Sequence, residues 1–279
     1  MSKCILLVST FSSLQKYLPL IDAALDQCWK GHPTSRFLTD TPTAHPNTIV
    51  FENSCWTELF LNGLLHVKSL DPKPTHVFHM LEDHCPLRAC DDAGVAEYMQ
   101  TAMNRDFALV TFPTYGWPWT RTENRDYGDG LVRTWRKIDI EEIQGRKFAV
   151  VPRDFFRYFQ VQPALWNLEY LIDACRFALK TGANDAWSFE ALRWENAAQH
   201  YVADYNWPTV HHGFFTAGKV NPEAISYADP EVAGQLRGQL IRDLIGLHSP
   251  TLFRLWWTSK RASRRVARLK NRLVREMNA

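Results

Sequence analysis

Three consecutive side chains, Glu82-Asp83-His84, place two carboxylates and an imidazole directly after the apolar run His76-Val77-Phe78-His79-Met80-Leu81 and just before Cys85-Pro86-Leu87. The run reads as a buried strand that Pro86 prevents from continuing. Carboxylate oxygens and an imidazole nitrogen are donors for a divalent cation, Mn²⁺ or Mg²⁺, and open α/β sheets hold their ligands at the carboxyl ends of strands. The expected chemistry is therefore a cation held against phosphate oxygens, with Asp83 as the principal ligand and His84 beside it. Successive strand residues point to opposite faces, so Glu82 joins Asp83 on one cation only if the strand has already ended. The competing reading is a pair of acids that merely solvate a strand end.

A second carboxylate stands in Trp187-Ser188-Phe189-Glu190. Flanked by Trp187 and Phe189, Glu190 has the apolar surround that suits a general base. An acid early in a helix is also what the helix dipole favours, and that reading stays open.

The elements that must position these groups follow from hydrophobic spacing. Residues 4 to 11 form a β-branched and leucine-rich strand, and Leu14, Leu18, Ile21, Leu25 and Cys28 recur at helical spacing up to Gly31-His32-Pro33. Strands follow at Arg36 to Asp40 and Thr48 to Phe51. A helix that Asn53 or Ser54 can cap carries Trp56, Leu59, Phe60, Leu64 and Val67 on one face. Strand, helix, strand, strand, helix, strand predicts an α/β fold with a mostly parallel, Rossmann-like sheet flanked by helices. Further on come an amphipathic stretch with Val95, Tyr98 and Met99, strands at 108–112 and 148–151, a helix from Leu168 that Gly182 ends, and a helix over 231–247. Residues 113 to 135 are aromatic and charged at once and read as a functional loop.

The 279 residues suit one large domain over 1–250 followed by a distinct tail over 251–279. From Arg254 onward nine Lys or Arg and one Glu give the tail +8; against a net charge of +2 the preceding residues carry −6. Trp256, Val266, Leu269, Leu273 and Met277 keep a helical stripe between the arginines, so the tail reads as a basic amphipathic helix suited to an anionic membrane surface. Basic residues are not clustered elsewhere, which argues against nucleic acid. The six cysteines show no metal-finger spacing and read as reduced thiols. The first apolar run is too short for a signal peptide's core, and no run approaches the ~20 residues of a membrane span. The expected location is cytoplasmic, peripheral at the inner face of the cell membrane.

Taken in order, these landmarks resemble bacterial glycosyltransferases of the GT-A fold, of the lipopolysaccharide and capsule biosynthesis type. The resemblance rests on the short first strand, Thr39-Asp40 closing the second, and Trp56 with Leu59 and Leu64 in a helix. It continues through the acidic cluster after an apolar strand, Gln162-Pro163-Ala164-Leu165-Trp166 and Trp187-Ser188-Phe189-Glu190, covering roughly residues 4 to 220. It implies transfer of a sugar from a UDP-linked donor to a hydroxyl of a cell-surface glycan or lipid-linked acceptor, with an Asp-any-Asp type cluster holding the cation on the diphosphate. Here that cluster reads Glu82-Asp83-His84, and the histidine in place of an acid either turns the site toward Mn²⁺ or another transition metal or weakens its dependence on metal. By the same resemblance Glu190 takes the position of the catalytic carboxylate in an inverting reaction. His212, or its neighbour His211, supplies a late third ligand, and Lys219 reaches the diphosphate. Ser9, Thr10 and Asp40 contact base and ribose, Glu82 ligates or contacts the ribose, and Trp117 or Trp119 offers a sugar platform. A catalytically silent carbohydrate-binding relative and a metal-dependent phosphohydrolase are the alternatives.

Overall fold

The computed structural model describes residues 3–10, 12–52, 55–114, 139–153, 155, 158–195, 197–210, 214–216 and 219–245. Trp117, Trp119, His211, His212 and the basic tail over 251–279 lie outside the described residues.

β1 (Cys4–Ser9) passes through a 3-10 turn, Ser12–Tyr17, into α1 (Leu18–Cys28); β2 (Ser35–Thr39) and β3 (Thr48–Val50) lead to α2 (Trp56–Lys68) and β4 (His76–Leu81). After a 3-10 turn over Glu82–His84 come α3 (Asp92–Asn104), β5 (Leu109–Thr111), β6 (Ile140–Ile143), β7 (Arg146–Val150) and β8 (Ala164–Asn167). α4 (Leu168–Thr181), α5 (Ala186–Glu190) and β9 (His200–Ala203) follow. The short hairpin of β10 (Phe215–Thr216) and β11 (Lys219–Val220) then precedes α6 (Pro222–Tyr227) and α7 (Pro230–Ile245).

Among the described residues nine strands make one sheet in the order β3-β2-β1-β4-β8-β5-β9-β7-β6. Its first four strands are parallel, and Ser9 aligns with both Leu38 and Leu81, so β1, β2 and β4 end in one row. Alternation along the strands divides the core between two helical layers. Leu6, Val8, Phe78 and Met80 meet α1, α3 and α7, while Leu7, Val77, Leu109 and Trp166 meet α2, α4 and α5. Strands buried on both faces carry the near-continuous apolar runs seen in β1 and β4.

The expectation of a mostly parallel sheet needs correction, because the sheet is mixed. β8 runs antiparallel to both of its neighbours, β4 and β5. Ala164-Leu165-Trp166, which the sequence presents as the approach to a helix, is itself a strand whose residues alternate between the two layers, and hydrophobic periodicity carries no information about strand direction. β7 is also antiparallel to β9 and to β6, through a two-residue turn in which Gln144 (φ 53°) and Gly145 (φ 74°) both take the left-handed conformation of a type I′ hairpin.

Helix ends follow local chemistry. Asp91 caps α3 by accepting the Gly94 N–H (3.0 Å), Asn167 caps α4 by accepting the Tyr170 N–H (3.0 Å), and Gly182 closes α4 at φ 80°. The N-cap of α2 is Cys55, with no side-chain hydrogen bond, rather than Asn53 or Ser54, which lie outside the described residues. All six cysteines are free thiols. Among the described residues no helix is long and apolar enough to cross a membrane.

Candidate functional site

The strand order marks where a fold of this kind is expected to carry a crevice. From β1 the chain adds β2 and β3 on one side and β4 on the other, so the order reverses between β1 and β4. In open α/β sheets that reversal opens a ligand crevice outside the carboxyl ends of the strands. Ser9 and Thr10 end β1 there, Asp40 follows β2, and Glu82, Asp83 and His84 follow β4.

β4 stops at Leu81 and the next three residues form a 3-10 turn, so the alternation that would have separated Glu82 from Asp83 no longer applies. Glu82 is buried, while Asp83 and His84 are partly so. Four buried atoms at this edge have no hydrogen-bond partner: Asp40 Oδ1, Glu82 Oε2, Asp83 Oδ1 and His84 Nδ1. Each such atom costs roughly 1–3 kcal/mol if left unpaired, and folded proteins satisfy most of them. Three of the four lie on the Glu82–His84 turn, where a bound ligand or water would satisfy them.

Asp83 Oδ1 and His84 Nε2 lie 3.9 Å apart, too far for a hydrogen bond. Two donors bound to one cation at about 2.1 Å sit ~3–4 Å from each other, so the pair has ligand spacing. Among the described residues no three His, Cys, Asp or Glu side chains converge on one point. A cation on a nucleotide diphosphate needs only one or two protein ligands, the rest coming from phosphate oxygens and water, and Asp83 with His84 fits that smaller set.

Burial, and then the charge of Asp83, push the Glu82 carboxyl up to about 8. Glu82 is therefore largely protonated at neutral pH, and its unpartnered Oε2 would offer a donor to a hydroxyl rather than a ligand to a cation. The backbone of the turn is pinned from outside. Asp83 C=O accepts the Phe214 N–H (2.6 Å), His84 C=O accepts the Trp207 Nε1–H (2.9 Å), and the Leu87 N–H donates to Pro208 C=O (2.8 Å). Phe214 immediately precedes β10, whose hairpin partner β11 carries exposed Lys219.

Ser9 reaches the crevice by position only. Its hydroxyl lies 2.9 Å from His79 Nε2, inside the α2 layer, where His79 packs against Phe60 (4.4 Å between ring centroids) and Trp56 (6.4 Å). Burial, and secondarily His84, push the His79 imidazole down to about 3, so it is neutral. The Thr10 N–H donates to Leu38 C=O (2.9 Å), and the Gln15 amide bridges Thr39 Oγ1 and Thr41, fixing the segment that bears Asp40.

Glu190 is buried at the end of α5, where Oε1 accepts the Val161 N–H (3.2 Å). Val161 leads into β8, which is antiparallel to β4 with Ala164 opposite His79, so this contact lies at the same edge as the Glu82–His84 turn. α5 is braced on the start of α2: Thr57 Oγ1–H donates to Ala183 C=O (2.6 Å), and Phe189 meets Trp56 at 5.7 Å. The sequence assigns no role to His79 or Gln15, and it marks Trp56 only as part of the apolar face of α2. The signal for His79 is a polar residue on the inward-alternating face of an apolar strand; Gln15 and Trp207 offer none, because their partners are distant in the chain. No protein-family model matches this chain, and no curated protein is detectably similar to it.

Proposed function

We propose that this chain is a nucleotide-sugar glycosyltransferase of GT-A-like architecture, moving a sugar from a UDP-linked donor to a hydroxyl of a cell-surface glycan or lipid-linked acceptor. The observation that carries the reading is the set of unpartnered Asp83, His84 and Glu82 atoms on a turn at the β1/β4 reversal. Asp83 and His84 hold Mn²⁺ or Mg²⁺, with His212 as the candidate third ligand taken from the sequence. When bound, the cation neutralises charge on the departing diphosphate. Asp40 and protonated Glu82 hydrogen-bond the ribose hydroxyls, Thr10 lines the base side, and Lys219 adds a positive charge near the diphosphate. Glu190, oriented by the Val161 amide, takes the proton of the acceptor hydroxyl as its oxygen bonds to the anomeric carbon and the bond from that carbon to phosphate breaks, inverting the configuration. The tail over 251–279 brings the enzyme to the anionic inner face of the membrane, where a lipid-linked acceptor resides.

Calorimetric titration with UDP, with and without Mn²⁺, tests this reading. Wild type should bind in a Mn²⁺-dependent manner and Asp83→Asn should lose at least tenfold in affinity, or about 1.4 kcal/mol. Mn²⁺-independent binding, or an unchanged Asp83→Asn, would sink the assignment. Donor hydrolysis that no glycan acceptor accelerates would identify a phosphohydrolase instead.

A further inference from the structure

Three of the cysteines, Cys28, Cys85 and Cys90, meet in the fold, while Cys4, Cys55 and Cys175 stand on β1, at the start of α2 and on α4. Cys28 is the last residue of α1, so its carbonyl is one that a helix end leaves without an intrahelical donor. The Cys90 N–H supplies that donor at 2.6 Å, and the Gly31 N–H donates to Asp92 Oδ2 (3.2 Å), so the end of α1 is pinned to the segment entering α3. With standard bond lengths on either side, so short an N–H···O=C contact holds the two Cα atoms within ~6.5 Å, inside the ~4.4–6.8 Å that a disulfide spans. The sulfurs are neighbours as well. Burial pushes the Cys90 thiol up, the Tyr205 hydroxyl opposes the rise and Cys28 adds to it; burial likewise pushes up Cys85, with Cys28 and Cys90 adding to the rise.

We propose that Cys28 and Cys90 are a reversible dithiol–disulfide site that exchanges with a low-molecular-weight disulfide such as oxidised glutathione. Cys90 is partly exposed whereas Cys28 and Cys85 are buried, so the oxidant meets Cys90 first. The Cys90 thiolate, stabilised by its hydrogen bond from the Tyr205 hydroxyl, attacks one glutathione sulfur; a mixed disulfide forms and the first glutathione leaves as its thiolate. The Cys28 thiolate then attacks the Cys90 sulfur, forming the Cys28–Cys90 bond and releasing the second glutathione. The two protons lost by the cysteines end on the two glutathione thiolates, and the two electrons lost by the protein reduce the oxidant. Cys85 is held out of the exchange, because it is fully buried and its Sγ–H donates to Ile21 C=O (3.5 Å). Burial keeps both reacting thiols protonated most of the time, so the exchange is slow beside that of an exposed thiol. The new bond joins α1 to the segment that runs from the Glu82–His84 turn into α3.

Peptide mapping tests the pair. The full-length protein is incubated in native buffer with oxidised glutathione, quenched with acid, alkylated in urea and digested without reductant. Wild type should give a peptide pair joined through Cys28 and Cys90, with both thiols lost to alkylation, and dithiothreitol should separate the pair and restore both. Cys28→Ser should stop at a mixed disulfide with glutathione on Cys90, and Cys90→Ser should leave Cys28 free for alkylation. The inference would be overturned by Cys28 and Cys90 both alkylated in the treated wild type, by a link through Cys85 in place of either, or by an unmodified Cys90 in Cys28→Ser. Glutathione that stays on Cys90 of the wild type beside a free Cys28 would overturn it equally, and this wild-type map decides the matter if a variant fails to fold.

Discussion

Replacing Glu82 by Gln should make the protein more stable at alkaline pH than the wild type. The folded-state carboxyl titrates at about 8 against 4.5 for an ordinary Glu, through burial first and Asp83 second. Between those two values the folded state holds a proton that the unfolded chain has released. The contribution is thus complete below 4.5 and is lost as pH rises through 8. At ~1.4 kcal/mol per unit, the full swing is on the order of 5 kcal/mol. Gln keeps the shape and one donor of the protonated acid but has no proton to lose, so it should cost under about 1 kcal/mol near pH 5 and gain at least ~2 kcal/mol over wild type near pH 9. Urea denaturation of both proteins in EDTA at these two pH values measures the swing. Parallel pH profiles, agreeing within about 0.5 kcal/mol, would refute the claim that Glu82 is an isolated buried acid beside Asp83.

Two further outcomes concern the fold. Burial also pushes the His200 imidazole down to about 3, between the Tyr158 carbonyl (2.9 Å) and the Tyr170 hydroxyl (2.7 Å). For His79 and His200 alike the unfolded chain takes up a proton near 6.5 that the folded state refuses. Their stabilisation is therefore full above 6.5 and lost as pH falls toward 3, about 2 kcal/mol each by pH 5. Thermal melts from pH 7 to pH 5 should show a flatter acid limb for His200→Gln, and an unchanged limb would contradict the assignment. Phe78 packs among Trp29 (4.8 Å), Phe112 (5.2 Å) and Trp207 (5.4 Å), so Phe78→Ala should lose about 3–5 kcal/mol in urea denaturation, and a loss under ~1 kcal/mol would show that this cluster is not packed as described.

The parallel half of the sheet was legible because each of its elements is periodic within itself: Leu18, Ile21, Leu25 and Cys28 on α1, and Trp56, Leu59, Phe60, Leu64 and Val67 on α2, are buried as their spacing requires. Pro86 likewise marked the end of β4 that lets Glu82 and Asp83 share one turn. The reversed strand β8 was not legible, because Ala164-Leu165-Trp166 looks the same read in either direction. Nor was β6, whose Ile140-Glu141-Glu142-Ile143 is an exposed edge lacking alternation. At the turn after β4, residue types single out Asp83 and His84 as candidate ligands. The inward turn of the Ser9 hydroxyl toward His79, seventy positions away, and the hold of Phe214 on Asp83 are tertiary pairings that no local pattern encodes.

We read the β1/β4 reversal as a cation-assisted nucleotide seat. Its most direct test is a crystal grown with UDP and Mn²⁺ and measured for anomalous scattering. A manganese peak is expected about 2.0–2.6 Å from an Asp83 carboxylate oxygen, with the UDP diphosphate beyond it and the ribose toward Asp40. Manganese and nucleotide bound away from the Glu82–His84 turn, or a nucleotide seated there with no manganese, would contradict it.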